Sequence, residues 1–316
     1  MADFETFQLQ DKLRSMPEYR RVQELDGLNL SVSIFEQNYL EMKSLLDRMT
    51  HPEVGMQITR QENRLLFERC IYELCRLLHN FVAASMSLVD HTRRLYRKLY
   101  EVQGLFPDYQ GEIKTRFAEN PLIQFVQDLR NYVLHVEVPR LAFVTSITDM
   151  KRETFLHQLV LRKQHLLASG FDWTKPATAY IDTVNGDSID VVQVVDGYQA
   201  ETESFYAWMA RRLRAIHLRE FEAVSKVQEE VLHRVAPQIP NLISQRLAYV
   251  ERGVATVFDV LGNFLTPNQH TELSEFRGDL RSWTEAALIM ISNYVSLPTE
   301  LIERINRVVP SRPSKT

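Results

Sequence analysis

The sequence predicts a mainly α-helical protein, and three observations lead to that prediction. Glycine is scarce, with 10 residues in a chain of 316, while leucine, arginine, glutamate and glutamine are abundant, and such a composition favours helix. Apolar residues recur at intervals of three and four over long stretches, which is the spacing of one buried helix face. Alternating spacing, typical of a strand, appears after Pro139. We therefore expect a helical bundle with one small β-hairpin insertion and an additional helical C-terminal region.

Charge and cysteine content narrow the class of protein. The formal net charge of −4 is mild, so the chain is not a polycation that coats nucleic acid, and any RNA contact must come from a local patch. No apolar run approaches the roughly 20 residues of a membrane helix, and the first residues lack the features of a signal peptide. Cys70 and Cys75 would lie about 7.5 Å apart along a helix axis, too far for a disulfide. We expect reduced core cysteines in a cytoplasmic protein that does not contact a membrane.

The sequence of residues 1–57 predicts an N-terminal helical segment. After a polar start, the apolar residues are spaced as in a helix of about residues 30–48. We expect this helix to end at His51-Pro52 and the chain to turn at Val54-Gly55, because proline and glycine interrupt helices.

We expect residues 58–165 to form a helical core that includes the β-hairpin. The longest helical pattern of the chain runs from about Arg60 to Glu101, and residues 104–119 connect it to the next helix. A face of basic residues lies on the outside of the long helix: Arg93, Arg94, Arg97 and Lys98. Such a face is either solvated or binds substrate phosphates, and the sequence leaves both interpretations open.

The helix after this connection has both ends defined in the sequence. Asn120 is a preferred N-cap residue, and Pro121 suits the first helical position. Pro139 disfavours a helical conformation in the residue before it, so the helix should end near His135. The apolar residues of this helix form one stripe: Leu122, Phe125, Val126, Leu129, Tyr132 and Val133.

The alternating pattern after Pro139 predicts a β-hairpin at about residues 141–162, with a polar turn at residues 149–152. The residues expected to face one another are Leu141, Phe143, Thr145 and Ile147 on one strand and Phe155, His157, Leu159 and Leu161 on the other. We interpret His157 as a strand-surface histidine and His165 as a loop histidine, rather than as metal ligands.

Residues 166–236 predict a loop, a short helix of about 176–184, a tight turn at Asn185-Gly186, and a long helix that is capped by Ser188 and runs to about Val235. The long helix carries the densest basic patch of the sequence: Arg211, Arg212, Arg214, His217 and Arg219. Because acidic residues interrupt the basic run further along, a solvated or salt-bridged face is the alternative to an RNA-binding surface.

The prolines at 237 and 240 mark the clearest boundary, after which residues 237–309 form the C-terminal helical region. We expect Thr266 to cap the second of its helices. The expected helices cover about residues 241–265, 267–282, 283–295 and 298–308. Residues 310–316 should be a disordered tail.

Arg130, Asn131 and His135 fall off the apolar stripe of their helix, at about 100° per residue, and should face away from the core. RNA carries its own nucleophile, the 2′-hydroxyl. Its cleavage therefore requires only a base near neutrality, a proton for the leaving 5′-oxygen and positive charge at the phosphate. Histidine can act as base or acid, and arginine offers a forked donor that matches phosphate. One Arg–His pair lacks a second proton-transfer group, which a second copy of the chain would supply.

The motifs of several other enzyme classes do not occur in the sequence. It contains no phosphate-binding glycine loop, no His-Glu-x-x-His, no paired-cysteine metal spacing and no Gly-x-Ser-x-Gly turn. We expect neither a metal nor a cofactor.

The pattern Arg130-Asn131-x-x-x-His135 resembles the Arg–polar–x3–His signature of the HEPN superfamily, the higher eukaryotes and prokaryotes nucleotide-binding domains. The resemblance covers about residues 60–165. It implies a HEPN-like helical bundle and a homodimer with a metal-independent RNA-cleaving site at its interface. It also implies catalytic roles for Arg130 and His135, with Asn131 orienting the histidine or holding the phosphate. Such domains often serve as toxins or host-defence effectors, a role with which a neutralising or activating protein partner is compatible.

Three interpretations of the motif remain open. The chain is a HEPN-like endoribonuclease, a HEPN-like module that binds nucleotide, RNA or protein without cleavage, or an all-helical interaction protein. In the third case Arg130 and His135 would only stabilise the dipole at the C-terminal end of a helix, by roughly 0.3–1 kcal/mol.

Overall fold

A computed structural model describes residues 4–149, 154–276 and 279–309. The chain is mainly helical with a small antiparallel sheet, which confirms the predicted fold class. In chain order the elements are α1 (Phe4–Ser15), α2 (Pro17–Thr50), α3 (Pro52–Ile58), α4 (Arg64–Tyr96), α5 (Tyr109–Ile113), α6 (Pro121–His135), β1 (Leu141–Asp149), β2 (Thr154–Arg162), α7 (Lys163–Ala168), α8 (Lys175–Thr183), β3 (Ser188–Asp190), α9 (Val191–Ile216), α10 (Leu218–Val235), α11 (Ile239–Glu251), α12 (Val257–Leu261), α13 (Pro267–Leu273), α14 (Leu280–Ser292) and α15 (Thr299–Val308).

The chain forms two compact units. The hairpin unit comprises residues 26–212, and the terminal unit comprises residues 1–25 together with residues 213–316. The boundary predicted at residues 237–240 lies within the terminal unit, where it separates α10 from α11. The predicted tail, residues 310–316, and the predicted turn residues 150–152 lie outside the described residues.

The core of the hairpin unit is organised around three aromatic rings from three long helices. Phe35 of α2, Phe81 of α4 and Tyr198 of α9 are each about 1% exposed. Their ring centroids lie 5.4 Å apart for Phe35 and Phe81, and each of these rings lies 5.8 Å from the ring of Tyr198. Tilted and edge-to-face rings at such distances stabilise a core beyond the area they bury.

The β-hairpin has the predicted register. Leu141 pairs with Leu161, Thr145 with His157, and the strands remain antiparallel to the end of β1. A third strand, β3, pairs with the end of β2, and the sequence did not predict it. Three residues are too few for a recognisable alternation, so β3 depends on pairing with β2.

His157 is buried, so its interpretation as a strand-surface histidine is wrong. Its Nε2 lies 3.1 Å from the carbonyl oxygen of Pro52 and its Nδ1 lies 3.0 Å from Oγ1 of Thr145. Helix α3 covers this face of the hairpin, and the ring of Phe143 stacks on the imidazole at 5.3 Å. His165 was also misplaced, because it lies on α7 and not in a loop.

Gly55 allows α3 to approach this imidazole, which leads to a prediction. A Cβ atom at position 55 would lie 2.7 Å from Cγ of His157, and that ring is held by its hydrogen bonds. We expect Gly55→Ala to lower the free energy of unfolding by about 1–3 kcal/mol, measured by urea denaturation.

The matched control is Gly27→Ala, since Gly27 is also helical but a Cβ there meets nothing within 4 Å. It should raise the same free energy by about 0.5–1 kcal/mol because alanine is the better helix former. Equal effects of the two substitutions would contradict the packing described for Gly55.

The terminal unit has its own core, formed by α10 to α15. Fully buried apolar side chains are contributed by these helices and their connections: Ile239, Ile243, Leu247, Leu261, Leu273, Ala287, Ile291 and Ile305. A smaller cluster joins α1 and the start of α2 to α10 through Leu13, Val22, Val224 and Val227.

Several predicted helix boundaries were wrong. The N-terminal helix expected at 30–48 begins at Pro17, and the expected turn at Val54-Gly55 lies inside α3, because Pro52 occupies the first position of a new helix. The helix expected to run to Val235 is divided at His217 into α9 and α10. Gly253, with φ of +71°, ends the first helix of the C-terminal region early.

Helix caps account for other differences. Asp190 caps α9, because its Oδ1 accepts hydrogen bonds from the backbone N–H groups of Val192 and Gln193. The predicted cap Ser188 lies in β3 instead. Thr266 caps α13 as predicted, and α14 begins after Asp279, whose Oδ1 accepts from the N–H of Ser282.

The buried histidine between α9 and α10 predicts a pH dependence of stability. Burial lowers the pKa of His217, against the opposing effect of Glu220, whose Oε1 lies 3.2 Å from Nδ1. The unfolded chain takes up a proton near pH 6.5, whereas the folded chain does so only at lower pH. Acidification below about pH 6.5 should therefore destabilise the fold.

The measurement is the urea unfolding free energy at neutral and mildly acidic pH for the wild type and for His217→Gln. Because glutamine stays neutral, the His217→Gln protein should lose less stability on acidification than the wild type does. Identical pH dependence in both proteins would show that His217 does not contribute.

Candidate functional site

Helix α6 is built as its sequence predicts. Oδ1 of Asn120 accepts hydrogen bonds from the backbone N–H groups of Leu122 (3.1 Å) and Ile123 (3.4 Å), and Pro121 is the first helical residue. The helix ends at His135. The predicted stripe is buried except for Leu122, which is half-buried.

Ring contacts hold α6 against α8 and the loop that precedes it. Trp173 stacks on Phe125 and on Tyr132, with centroid distances of 5.6 Å in both cases. Tyr180 of α8 lies 5.0 Å from Phe125, and Phe171 lies 5.6 Å from Tyr132. These contacts fix the rotation of the helix about its axis and so determine which side chains face outward.

The three motif residues lie together along the side of α6 that these contacts leave open. Nη1 of Arg130 donates to Oδ1 of Asn131 at 2.9 Å, and both side chains are half-buried. Nε of Arg130 is buried and makes no hydrogen bond with a described residue. His135 is exposed, and at four residues from Asn131 it occupies the next turn of the same face. Asn131 therefore contacts the guanidinium and lies one helical turn before His135.

Apolar side chains around His135 are exposed. Leu134, Val136 and Val138 retain 40%, 44% and 43% of their accessible surface. Single exposed apolar residues are common on protein surfaces, whereas a cluster beside a polar motif suits a surface that another molecule covers.

The predicted basic face lies on the last turns of α4 and on the two residues after it, where together with Asp90 it lines an open surface. Arg93 lies 3.8 Å from this aspartate, and all four basic residues of the face are exposed. Arg93 also lines a small cavity with Gln127, which lies one helical turn before Arg130 on α6. Arg93 therefore lies near the middle of α6, whereas the chain just after the end of α6 lies near Cys75, whose Sγ is 4.0 Å from the carbonyl oxygen of Pro139.

The second predicted basic patch is not a uniform surface. Arg212 is used within the hairpin unit, because its Nη2 donates to Oδ1 of Asp108 at 2.8 Å and its guanidinium lies 5.9 Å from the ring of Phe106. Arg211 is exposed, and Arg214 is half-buried and belongs to the terminal unit.

A polar cleft of about 300 Å³ lies beside the C-terminal end of α6, and the sequence analysis did not identify it. Its polar lining comes from α6 and the residues that follow it, from the last residue of β2, and from α7 with the residue after it: Tyr132, Glu137, Arg140, Arg162, His165 and Ser169. Glu137 and Arg140 are close to the motif in sequence, but only the fold brings Arg162 and His165 to them.

Metal-binding clusters and membrane-spanning helices are absent from the described residues. No group of histidine, cysteine, aspartate and glutamate side chains is placed to hold a metal ion there. No helix in this part of the chain is long and apolar enough to cross a membrane. Cys70 and Cys75 are free thiols, as expected. Both are half-buried, so the prediction that they lie in the core is wrong.

Comparison of the chain with protein-family models, with curated proteins and with solved structures found no match. The resemblance to the HEPN superfamily therefore depends on the residues of α6 alone.

Asp128 anchors the motif helix, and its replacement is a test of this site. The buried Oδ2 accepts from the backbone N–H of Thr174 at 2.7 Å, beside the Trp173 ring that stacks on α6. Asp128→Ala should cost about 1–3 kcal/mol of unfolding free energy, because a hydrogen bond to a carboxylate is lost. Asp128→Asn keeps an acceptor oxygen and should cost less. Equal losses in thermal or urea unfolding would contradict a role for this hydrogen bond.

Proposed function

We propose that this chain is a metal-independent endoribonuclease, of the kind that serves as a toxin or defence effector, acting in the cytoplasm at a composite site formed by two copies. The observation that carries the proposal is that Arg130 and Asn131, half-buried and hydrogen-bonded to each other, lie within about one and a half turns of the exposed His135 on α6. The bond between Arg130 and Asn131 supports a fixed arrangement of the guanidinium.

The proposed reaction is internal transfer at a phosphodiester. The 2′-oxygen forms a bond to phosphorus, the bond from phosphorus to the 5′-oxygen breaks, and the products carry a 2′,3′-cyclic phosphate and a 5′-hydroxyl. One imidazole accepts the 2′-proton, and a second group donates a proton to the 5′-oxygen. Arg130 stabilises the charge that develops on the phosphate oxygens.

A second copy of the chain would provide the missing proton-transfer group. Each chain brings one His135, and a two-fold axis near the end of α6 would bring two imidazoles to one phosphate. The exposed Leu134, Val136 and Val138 support this arrangement, because a partner surface would bury them around the histidine. A homodimer is therefore part of the proposal.

The basic face of α4 is the proposed binding surface for the RNA backbone. Arg93, Arg94, Arg97 and Lys98 are exposed there, and Arg93 shares a small cavity with Gln127 of α6. A row of exposed cations of this kind binds a phosphate backbone without reading bases. Arg211 and Arg214 remain secondary candidates, whereas Arg212 is engaged by Asp108.

The test is cleavage of total RNA and tRNA by the purified protein in EDTA. Arg130→Ala and His135→Ala should each reduce the rate by about 100-fold or more, since each removes a group that acts at the phosphate. Arg130→Lys should restore little, because lysine lacks the forked donor. End-group analysis should find 2′,3′-cyclic phosphates.

The matched control is His51→Ala, which removes an exposed histidine whose side chain makes no cap hydrogen bond. It should leave cleavage unchanged. Cleavage that persists in His135→Ala would overturn the proposal. Binding of RNA without cleavage, by a folded dimer, would favour the non-catalytic HEPN-like module instead.

A further inference from the structure

We propose that the polar cleft beside α6 binds the phosphate group of a ribonucleotide, with Arg140 and Arg162 as the cationic donors and Glu137 as an acceptor for a sugar hydroxyl. The proposal rests on the lining of the cleft and applies equally to a free nucleotide and to one unit of an RNA strand. It concerns residues outside the Arg130-Asn131-His135 motif.

The two arginines approach the cleft from different parts of the chain. Arg140 is exposed and forms no ion pair with a described residue, so its whole guanidinium is available to an anion. Arg162 is held in place through Nη1, which donates to Asp187 at 3.2 Å and to Ser188 at 2.7 Å. Asp187 balances the charge of Arg162, but a guanidinium carries five N–H donors, so Nε and Nη2 of Arg162 remain as hydrogen-bond donors for a ligand and Arg140 supplies the unpaired charge.

The lining of the cleft also supplies a hydrogen-bond acceptor. Oε1 of Glu137 accepts from the hydroxyl of Tyr132 at 2.9 Å, which leaves Oε2 for another donor. Burial and the neighbouring Glu137 raise the pKa of Tyr132, so its hydroxyl keeps its proton and holds the carboxylate in place. A ligand that carries both an anion and hydroxyl groups matches this arrangement better than a simple anion does.

The size and position of the cleft agree with this ligand. A volume of about 300 Å³ is at the lower end of the range for small-molecule sites, which suits one nucleotide unit. Pro139, Leu161 and Leu166 provide apolar surface beside the charged groups. Tyr132 lies one turn of α6 before His135, about 4.5 Å along the helix axis, so a bound nucleotide would lie next to the motif.

The first experiment is a calorimetric titration of the full chain with inorganic phosphate, uridine 5′-monophosphate and uridine. The monophosphate should bind more tightly than phosphate, uridine should bind weakly, and added salt should weaken binding of the anions. Arg140→Ala should weaken binding of the monophosphate by about tenfold, the loss of one charge-assisted contact. Glu137→Gln should weaken binding of the ribonucleotide more than that of its 2′-deoxy form.

Arg69→Ala is the matched control, because Arg69 is an exposed arginine of the same unit and does not line the cleft. It should bind as the wild type does. Arg162→Lys keeps the charge but loses the fork, so reduced affinity with an unchanged melting temperature would identify a contact and exclude misfolding. Failure of the wild type to bind any phosphate compound, or equal affinity in Arg140→Ala, would overturn the proposal.

The source of the phosphate is distinguished with a short oligoribonucleotide in the His135→Ala background, where the proposed nuclease cannot cleave it. If the oligonucleotide binds more tightly than the monophosphate, and if Arg140→Ala abolishes the difference, the cleft binds an RNA strand. If the monophosphate binds more tightly, the cleft binds a free nucleotide. Binding that depends on Arg140 in a protein that does not cleave RNA would retain the cleft and reject the nuclease. Cleavage of RNA by a protein that shows no binding dependent on Arg140 would retain the nuclease and reject the cleft.

Discussion

The rings of Phe125, Tyr132 and Trp173 stack along one side of α6, and the rotation of this helix follows from their contacts. An α-helix offers one stripe to a core, so once these rings are buried the remaining positions have to face elsewhere. Asp128 strengthens the same arrangement by accepting the N–H that precedes α8. The exposure of His135 and the pairing of Arg130 with Asn131 are consequences of this packing.

The end of α6 is therefore the place where two surfaces of different chemistry meet. Exposed apolar side chains flank His135, and a polar cleft opens beside Tyr132. The basic residues of α4 lie nearer the middle of α6, where Arg93 and Gln127 line one cavity. An apolar surface suits a protein partner, and cationic surfaces suit phosphate. The proposed dimeric nuclease and the proposed nucleotide cleft both use this convergence, but they depend on different residues.

The sequence predicted correctly those features that depend on neighbouring residues, such as helix caps and the pairing of adjacent strands. The Asn120-Pro121 start, the buried stripe of α6 and the register of the hairpin were predicted, because each depends on residues a few positions apart. Boundaries that depend on packing were predicted poorly. His157 was expected at a surface because nothing in its own strand shows that α3 covers it, and β3 is too short to be recognised without β2.

The sequence by itself determined the helical class, the limits of α6 and the exposed position of His135. Helical periodicity and capping are local properties, and they place side chains on a face without reference to distant residues. Only the tertiary structure decided that Arg212 is engaged by Asp108 and that Arg140, Arg162 and His165 line one cleft. Those neighbours are far apart in the chain, and the folding of β2 and α7 against the end of α6 is what brings them together.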